Sequence, residues 1–269
     1  MKKIYSILFL VVLIFCSCEF KLKPNSTENH QGLVEVQRFD RLESRYLTTG
    51  DYSALQQMNT NYPMETRTLI EDVLKLGDVN DAKIYAKFLS FYQDSVLQVI
   101  ISDAEEEYAC MDDINKALSN AFSKLQKYLP NVPPPNVYAQ VGDLAQSIVV
   151  AESSIGISLD KYLGKNYPIY KKYYTETQRQ SMTRNYIVPD CMMYYILSLY
   201  PMNKSTFRSK TEQKIHIGKI MWITNKVLGK HYYNSEGIDI VNCYMKKHKQ
   251  VSITTLLTLA DNEIAKEQY

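Results

Sequence analysis

The chain has 269 residues, with 45% apolar and 22% charged side chains, enough for a core in one large domain or two small ones. Its formal net charge is +2, and both surplus charges are Lys2 and Lys3, so without them 29 basic side chains face 29 acidic ones. A chain with no basic surplus is not built to grip nucleic acid.

The N-terminal "MKKIYSILFLVVLIFCSC" carries two lysines, an apolar run from Ile4 to Phe15, and small residues around cysteine. The run is short for a membrane span and has the layout of a secretory leader. Ser17 immediately before Cys18 satisfies the small-residue requirement for lipoprotein cleavage and acylation, whereas Phe15 before Cys16 does not. We therefore expect a lipoprotein signal peptide over 1–17 and lipidation of Cys18. Three acyl chains there give stable anchoring. Residues 18–34, including the polar "EFKLKPNSTENHQG", read as a flexible tether. The body is expected over 35–269.

In the body, Asp51 is placed to cap "YSALQQMNTNY" before Pro63, and "METRTLIEDVLKLG" is expected to stop at Gly77. Residues 81–108 follow a helical period with a break near Asp94. Over 112–128, Ile114, Ala117, Leu118, Ala121, Phe122, Leu125 and Tyr128 follow the 3/4 spacing, with Asp112 as the expected cap. The prolines of "LPNVPPPN" (129–136) impose an extended connector. "VYAQVG", "SIVVAES" and "SIGISLD" read as two or three short strands. Helices resume near 159 and are expected over a Tyr-rich stretch, 189–200, 211–228, 236–248 and 252–267. The fold class is α+β: a mostly helical single domain around a small sheet. Cys110, Cys191 and Cys243 have no CxxC spacing and are expected to be buried free thiols, with one disulfide as the alternative.

The ordered segments "QRFDRLESRYL", "KYLPNVPPPNVYAQVG", "IGISLDKYLGKNYPIYKKYY", "RNYIVPDCMMYYI" and "IHIGKIMWITNKVLGKHYY" together resemble the GldB family, lipoproteins associated with gliding motility in Gram-negative bacteria. The similarity covers roughly residues 36–235. It implies a lipid-anchored envelope protein and carries over no catalytic residue. It also implies a further C-terminal segment with a "QxxW" tryptophan; "TTLLTLADNEIAKEQY" stands nearest to it and lacks that tryptophan, so any role of that segment is not carried over.

The family is in turn distantly similar to a zinc-peptidase-like group with an HExxH helix. HExxH places two imidazoles on one helix face around one metal. Here the corresponding "VPDCMMYY" offers Pro189 or Asp190 and Met193 or Tyr194, which cannot build such a site. His30, His216, His231 and His248 form no HxxxH pair and read as surface or capping residues. "GISLD" is not a nucleophile elbow around Ser158, and no phosphate-binding glycine loop occurs. The acidic run Asp103–Glu107 reads as a solvated helix face, not a calcium loop.

We therefore expect no catalytic residue, no metal and no cofactor. A binding cleft is expected, if anywhere, where Asp160 after a strand and Asp190 in a helix's first turn meet Tyr170. The local alternative is that Asp190 complements the helix dipole while Asp160 caps "KYLG". Tyrosines 167, 170, 173 and 174 in "KNYPIYKKYY" are expected along one face of an amphipathic helix. The reading that results is a non-enzymatic lipoprotein, its partners the membrane through the anchor and other envelope proteins. The alternatives are a lipoprotein that binds a peptide or glycan, and a hydrolase with an unrecognised site. Glu19 after Cys18, with no acidic run following, points to the outer membrane and its periplasmic face.

Overall fold

A computed structural model describes residues 34–151, 153–202 and 209–267. The leader, Cys18, His30 and the tether through residue 33 lie outside the described residues. Val34 already belongs to the body: it is buried, and its N–H and C=O both bond the Ser119 hydroxyl, at 2.9 and 3.1 Å.

The elements are mostly helical around one small sheet, the expected α+β class. Strand β1 (Val36–Gln37) leads into α1 (Phe39–Thr49), α2 (Tyr52–Asn61) and α3 (Pro63–Arg67), which continues as a π-helical turn over Thr68–Val73. Then come α4 (Ile84–Phe91), α5 (Ser95–Glu107) and α6 (Asp112–Tyr128). Strands β2 (Asn136–Gln140), β3 (Ile148–Ala151) and β4 (Ser154–Ser158) complete a sheet of order β1-β2-β4-β3. β1, β2 and β4 run parallel, and β3 pairs antiparallel with β4. All of β2 and β4 beyond their first residues is buried, as parallel strands covered on both faces must be. Helix α1 packs against β2, while α9 (Ile187–Leu199) packs against β3 and β4.

Capping explains most boundaries. The Asp51 carboxylate accepts the Ser53 N–H, and Asp94 accepts those of Val96 and Leu97, so the helical run breaks where it was expected to. Asp112 is the first residue of α6 rather than its cap; the capping position is Met111, and Asp112 serves the dipole instead. The α6 stripe is buried at Ile114, Leu118, Ala121, Phe122 and Leu125, but Tyr128 is exposed.

Other expectations are corrected. The helix from Pro63 does not reach Gly77: it widens into the π turn and stops at Leu74, with Lys75 in the left-handed region at φ 53°. Helix α9 starts at Ile187, ahead of Pro189, which sits in the first turn where its missing N–H costs nothing. The segment before it is a 3₁₀ turn, Arg184–Tyr186. The tyrosine-rich run forms only one helical turn, α7 (Tyr170–Tyr173), followed by α8 (Glu176–Arg179). The expected 252–267 helix is two, α12 (Ile253–Thr258) and α13 (Asp261–Lys266). All three cysteines are free, yet only Cys191 is buried; Cys110 and Cys243 are exposed.

The C-terminal half is organised around α10 (Lys210–Leu228), which packs against α6, α9, α11 (Glu236–Lys247), α12 and α13. Its crossing with α11 is closest at two glycines. A Cβ on Gly218 would lie 2.4 Å from the carbonyl carbon of Gly237, and one on Gly237 would lie 2.1 Å from the Lys214 carbonyl oxygen. Both obstacles are backbone and cannot rotate away. In an isolated helix Gly→Ala stabilises by up to about 1 kcal/mol. Here overpacking reverses the sign, and Gly237→Ala is expected to destabilise by more than about 2 kcal/mol, read as a lowered denaturation midpoint at unchanged m-value.

Candidate functional site

The parallel strands β2 and β4 end side by side at Gln140 and Ser158. In open parallel sheets this carboxyl edge is where ligand sites form. Here the edge is filled from inside. Asp160 lies in the 3₁₀ turn Leu159–Lys161 that follows β4, and its carboxylate accepts the Gly142 N–H at 2.7 Å and the Leu144 N–H at 2.8 Å from the loop after β2. Leu144 holds the left-handed conformation at φ 69°, a strained one for a leucine. Its carbonyl is held by the Lys161 ammonium at 2.9 Å and by the Tyr174 hydroxyl.

Tyr170 is fully buried beneath this turn. Its hydroxyl donates to the Asp160 carbonyl and accepts the Leu163 N–H at 2.9 Å. Asp190, in the first turn of α9, accepts from two tyrosines: the Tyr162 hydroxyl at 2.8 Å and the Tyr233 hydroxyl at 2.6 Å. Tyr108 in turn donates to the Tyr162 carbonyl at 2.7 Å. Tyr170 thus bonds the backbone of Asp160 and Leu163 while Asp190 bonds Tyr162, so residues 160, 170 and 190 meet in one network built on the short segment 160–163. They do not line an open cleft: Asp160 and Tyr170 are 0% exposed and Asp190 is 9%. Asp160 does not cap "KYLG" through its side chain either, since its oxygens are spent on the β2 loop.

Burial governs the electrostatics. Desolvation raises Asp160 to about 6 against the hydrogen bonds from Gly142 and Leu144. It raises Asp190 to about 6 against those from Tyr233 and Tyr162. Desolvation also pushes Tyr162 and Tyr233 far above the phenol range, so both remain donors.

A third buried carboxylate, which the sequence reading missed, stands beside this network. Glu43 from α1 accepts the Val141 N–H at 2.8 Å through Oε2, while its Oε1 is buried without a protein partner. Burial raises its pKa well above the carboxylate range. Gln140 donates to the Ser158 hydroxyl at 3.2 Å, and its own Oε1 is likewise buried and unpartnered. Tyr92 closes the group by donating to the Val141 carbonyl at 2.7 Å.

His216 is corrected: it is no surface residue but is buried in α10, with Nδ1 3.2 Å from Asp261 Oδ2 and Nε2 2.9 Å from the Tyr200 carbonyl. Lys219, one turn on and 1% exposed, places its ammonium 2.7 Å from Asp261 Oδ1 and bonds the Leu259 carbonyl at 2.7 Å. Burial works to raise Asp261, but the bonds from His216 and Lys219 outweigh it and hold the carboxyl below its ordinary range. His231 is exposed and His248 pairs with Glu267 at 2.8 Å. Among the described residues no group of three or more His, Cys, Asp or Glu is placed to hold a metal ion. Of the acidic run, Asp103 accepts the Tyr167 hydroxyl at 2.6 Å and Glu105 pairs with Arg41 at 3.3 Å.

Compared with known proteins, residues 21–234 match the family model described as gliding motility protein GldB. No curated protein and no solved structure matches the chain.

The raised carboxyls give stability a definite pH dependence. Between the unfolded value of 3.8 and about 6 the native state binds the extra protons, so stability is greatest below this window and falls as pH rises through it. The loss is at most about 3 kcal/mol per group. In Asp190→Asn the amide still meets both tyrosine hydroxyls and cannot ionise, so its denaturation midpoint should change less between pH 4 and 7 than that of the wild type. Asp160→Ala orphans two buried N–H groups and should cost about 2–5 kcal/mol by chemical denaturation.

Proposed function

Because the chain belongs to the gliding motility protein GldB family, we propose that it works as a non-catalytic lipoprotein, anchored through Cys18, that supports the assembly of an envelope complex by protein–protein contact. The observation that carries the non-catalytic part is the spending of the network's oxygens. Asp160 gives one oxygen to each of two backbone N–H groups, and Asp190 gives one to each of two tyrosine hydroxyls. A general base must present a carboxylate to a proton on a substrate. These carboxylates face the protein's own donors, and a strained loop depends on one of them. The network reads as architecture that makes a rigid body for a partner to grip.

The anchor and tether give this body its place and reach. We place it on the outer membrane, facing the periplasm, from Glu19 and the absence of an acidic run after Cys18. Protease shaving of intact cells should leave the protein whole; its removal would put the body on the cell surface instead. Stoichiometric zinc in the purified protein would overturn the non-catalytic reading.

The central test is crosslinking in native membranes followed by mass spectrometry, with Cys18→Ala as the control. A reproducible set of envelope proteins, lost in the control, is the expected result. Recovery of nothing beyond the control would rule out the assembly role.

A further inference from the structure

Outside the buried network, the C-terminal part of α10, the loop 230–235 and α11 enclose a groove of 890 Å³, within the range of small-ligand sites. We propose that this groove binds a carboxylate-bearing saccharide. This goes beyond the assembly role and does not depend on it.

The groove is built before any ligand arrives. Gly229, at φ 72°, ends α10 and turns the chain sharply into the loop. The buried Asn225 then pins that loop with three bonds: its amide donates to the Tyr233 carbonyl at 2.8 Å, and its oxygen accepts the Tyr232 and Tyr233 N–H groups at 2.9 and 3.1 Å. The Tyr186 hydroxyl donates to the Tyr232 carbonyl at 3.2 Å, and Tyr233 donates to Asp190. Ser235 caps α11 beyond. A rim held this way loses little entropy on binding.

What remains unspent selects the ligand class. Two aromatic side chains line the groove: Trp222, the only tryptophan of the chain, and Tyr128, 39% exposed. Flat aromatic faces suit the C–H faces of a sugar ring. Lys226 and Lys230 add two ammonium groups, and Asn234 and Asp239 add acceptors. All four are exposed, and no hydrogen bond or ion pair among the described residues engages their side chains. Ammonium groups answer a carboxylate; a carboxylate and an amide answer hydroxyl groups.

A peptide fits this rim poorly. An extended peptide binds through main-chain donors and acceptors, and the loop's own groups at 232 and 233 already belong to Asn225 and Tyr186. At these two positions the groove offers side chains only, which is how a polyhydroxylated ring is read.

Because Trp222 is the single tryptophan, the fluorescence of the full chain in detergent reports on the groove directly. We would titrate it with tetragalacturonate, with the uncharged tetramer of N-acetylglucosamine, and with a short polyglutamate. The expected result is a saturable change for tetragalacturonate below about 1 mM, at least tenfold weaker for the neutral tetramer and for polyglutamate. The exposed double variant K226E/K230E, its fold verified by circular dichroism, should weaken tetragalacturonate at least tenfold. N234A should weaken both saccharides without a new response to polyglutamate. No saturable response to tetragalacturonate from a folded protein would overturn the proposal. So would a polyglutamate response of equal strength, or binding unchanged in K226E/K230E.

Discussion

The carboxylate of Asp160 is the constraint around which the middle of the chain is arranged. Two parallel strands leave their last backbone groups pointing the same way, and the loops beyond them have no ladder to join. Asp160 resolves this for both loops at once, sitting in the turn after β4 and taking two N–H groups from the loop after β2. Leu144 can hold its left-handed conformation because its N–H is bound on one side and its carbonyl on the other. The cost is a buried charge, which protons, backbone dipoles and the nearby Lys161 share out. Tyrosine hydroxyls close the rest of the edge. The place where a parallel sheet ordinarily opens to a ligand is thus occupied by the protein's own polar groups.

Much of this was legible in the residues, though unevenly. Asp51 could be read as a cap, and Asp94 as a break, because capping is a contact over two or three positions. The α6 stripe was visible for the same reason: periodicity is local. The tyrosine run misled because spacing counts ring carbons and ignores hydroxyls. Tyr167, Tyr170 and Tyr174 each send the hydroxyl to a different partner, on α5, on the turn after β4 and on the β2 loop, which no single helix face could serve. Pro189 suggested a boundary two residues late, since a proline in a first turn looks the same as one that precedes a helix. β1 has two residues, too few to show alternation. Asp160, Asp190 and Tyr170 could be named as the lining of a cleft, but their burial could not be read from their neighbours in sequence. Glu43 and Lys219 were invisible on the same ground: each looks like a solvated helix charge until a partner 98 or 40 residues away is brought beside it.

Lys219 and its partner show how the chain's end is attached. Ammonium, imidazole and carboxylate are all drawn out of water, so their mutual attraction must offset a large desolvation cost, and losing any one would strand the others. Asp261 opens α13, and the Leu259 carbonyl just before it is held by the same ammonium. The region beyond residue 234, outside the family match, is thereby fastened to α10, a helix that lies wholly within the match.

The glycine crossing between α10 and α11 carries its own consequence for how the protein can change over generations. Gly218 and Gly237 face each other with no room for a single carbon atom on either. No first step away from glycine is available at one position while the other stays, because the obstacle is main chain and nothing smaller exists to substitute for it. Drift in this part of the molecule is channelled elsewhere, into the helix surfaces and the turns between them. The two helices can exchange their outward residues while their crossing point stays fixed, and the groove built beside it inherits a constant spacing on which different linings could be tried.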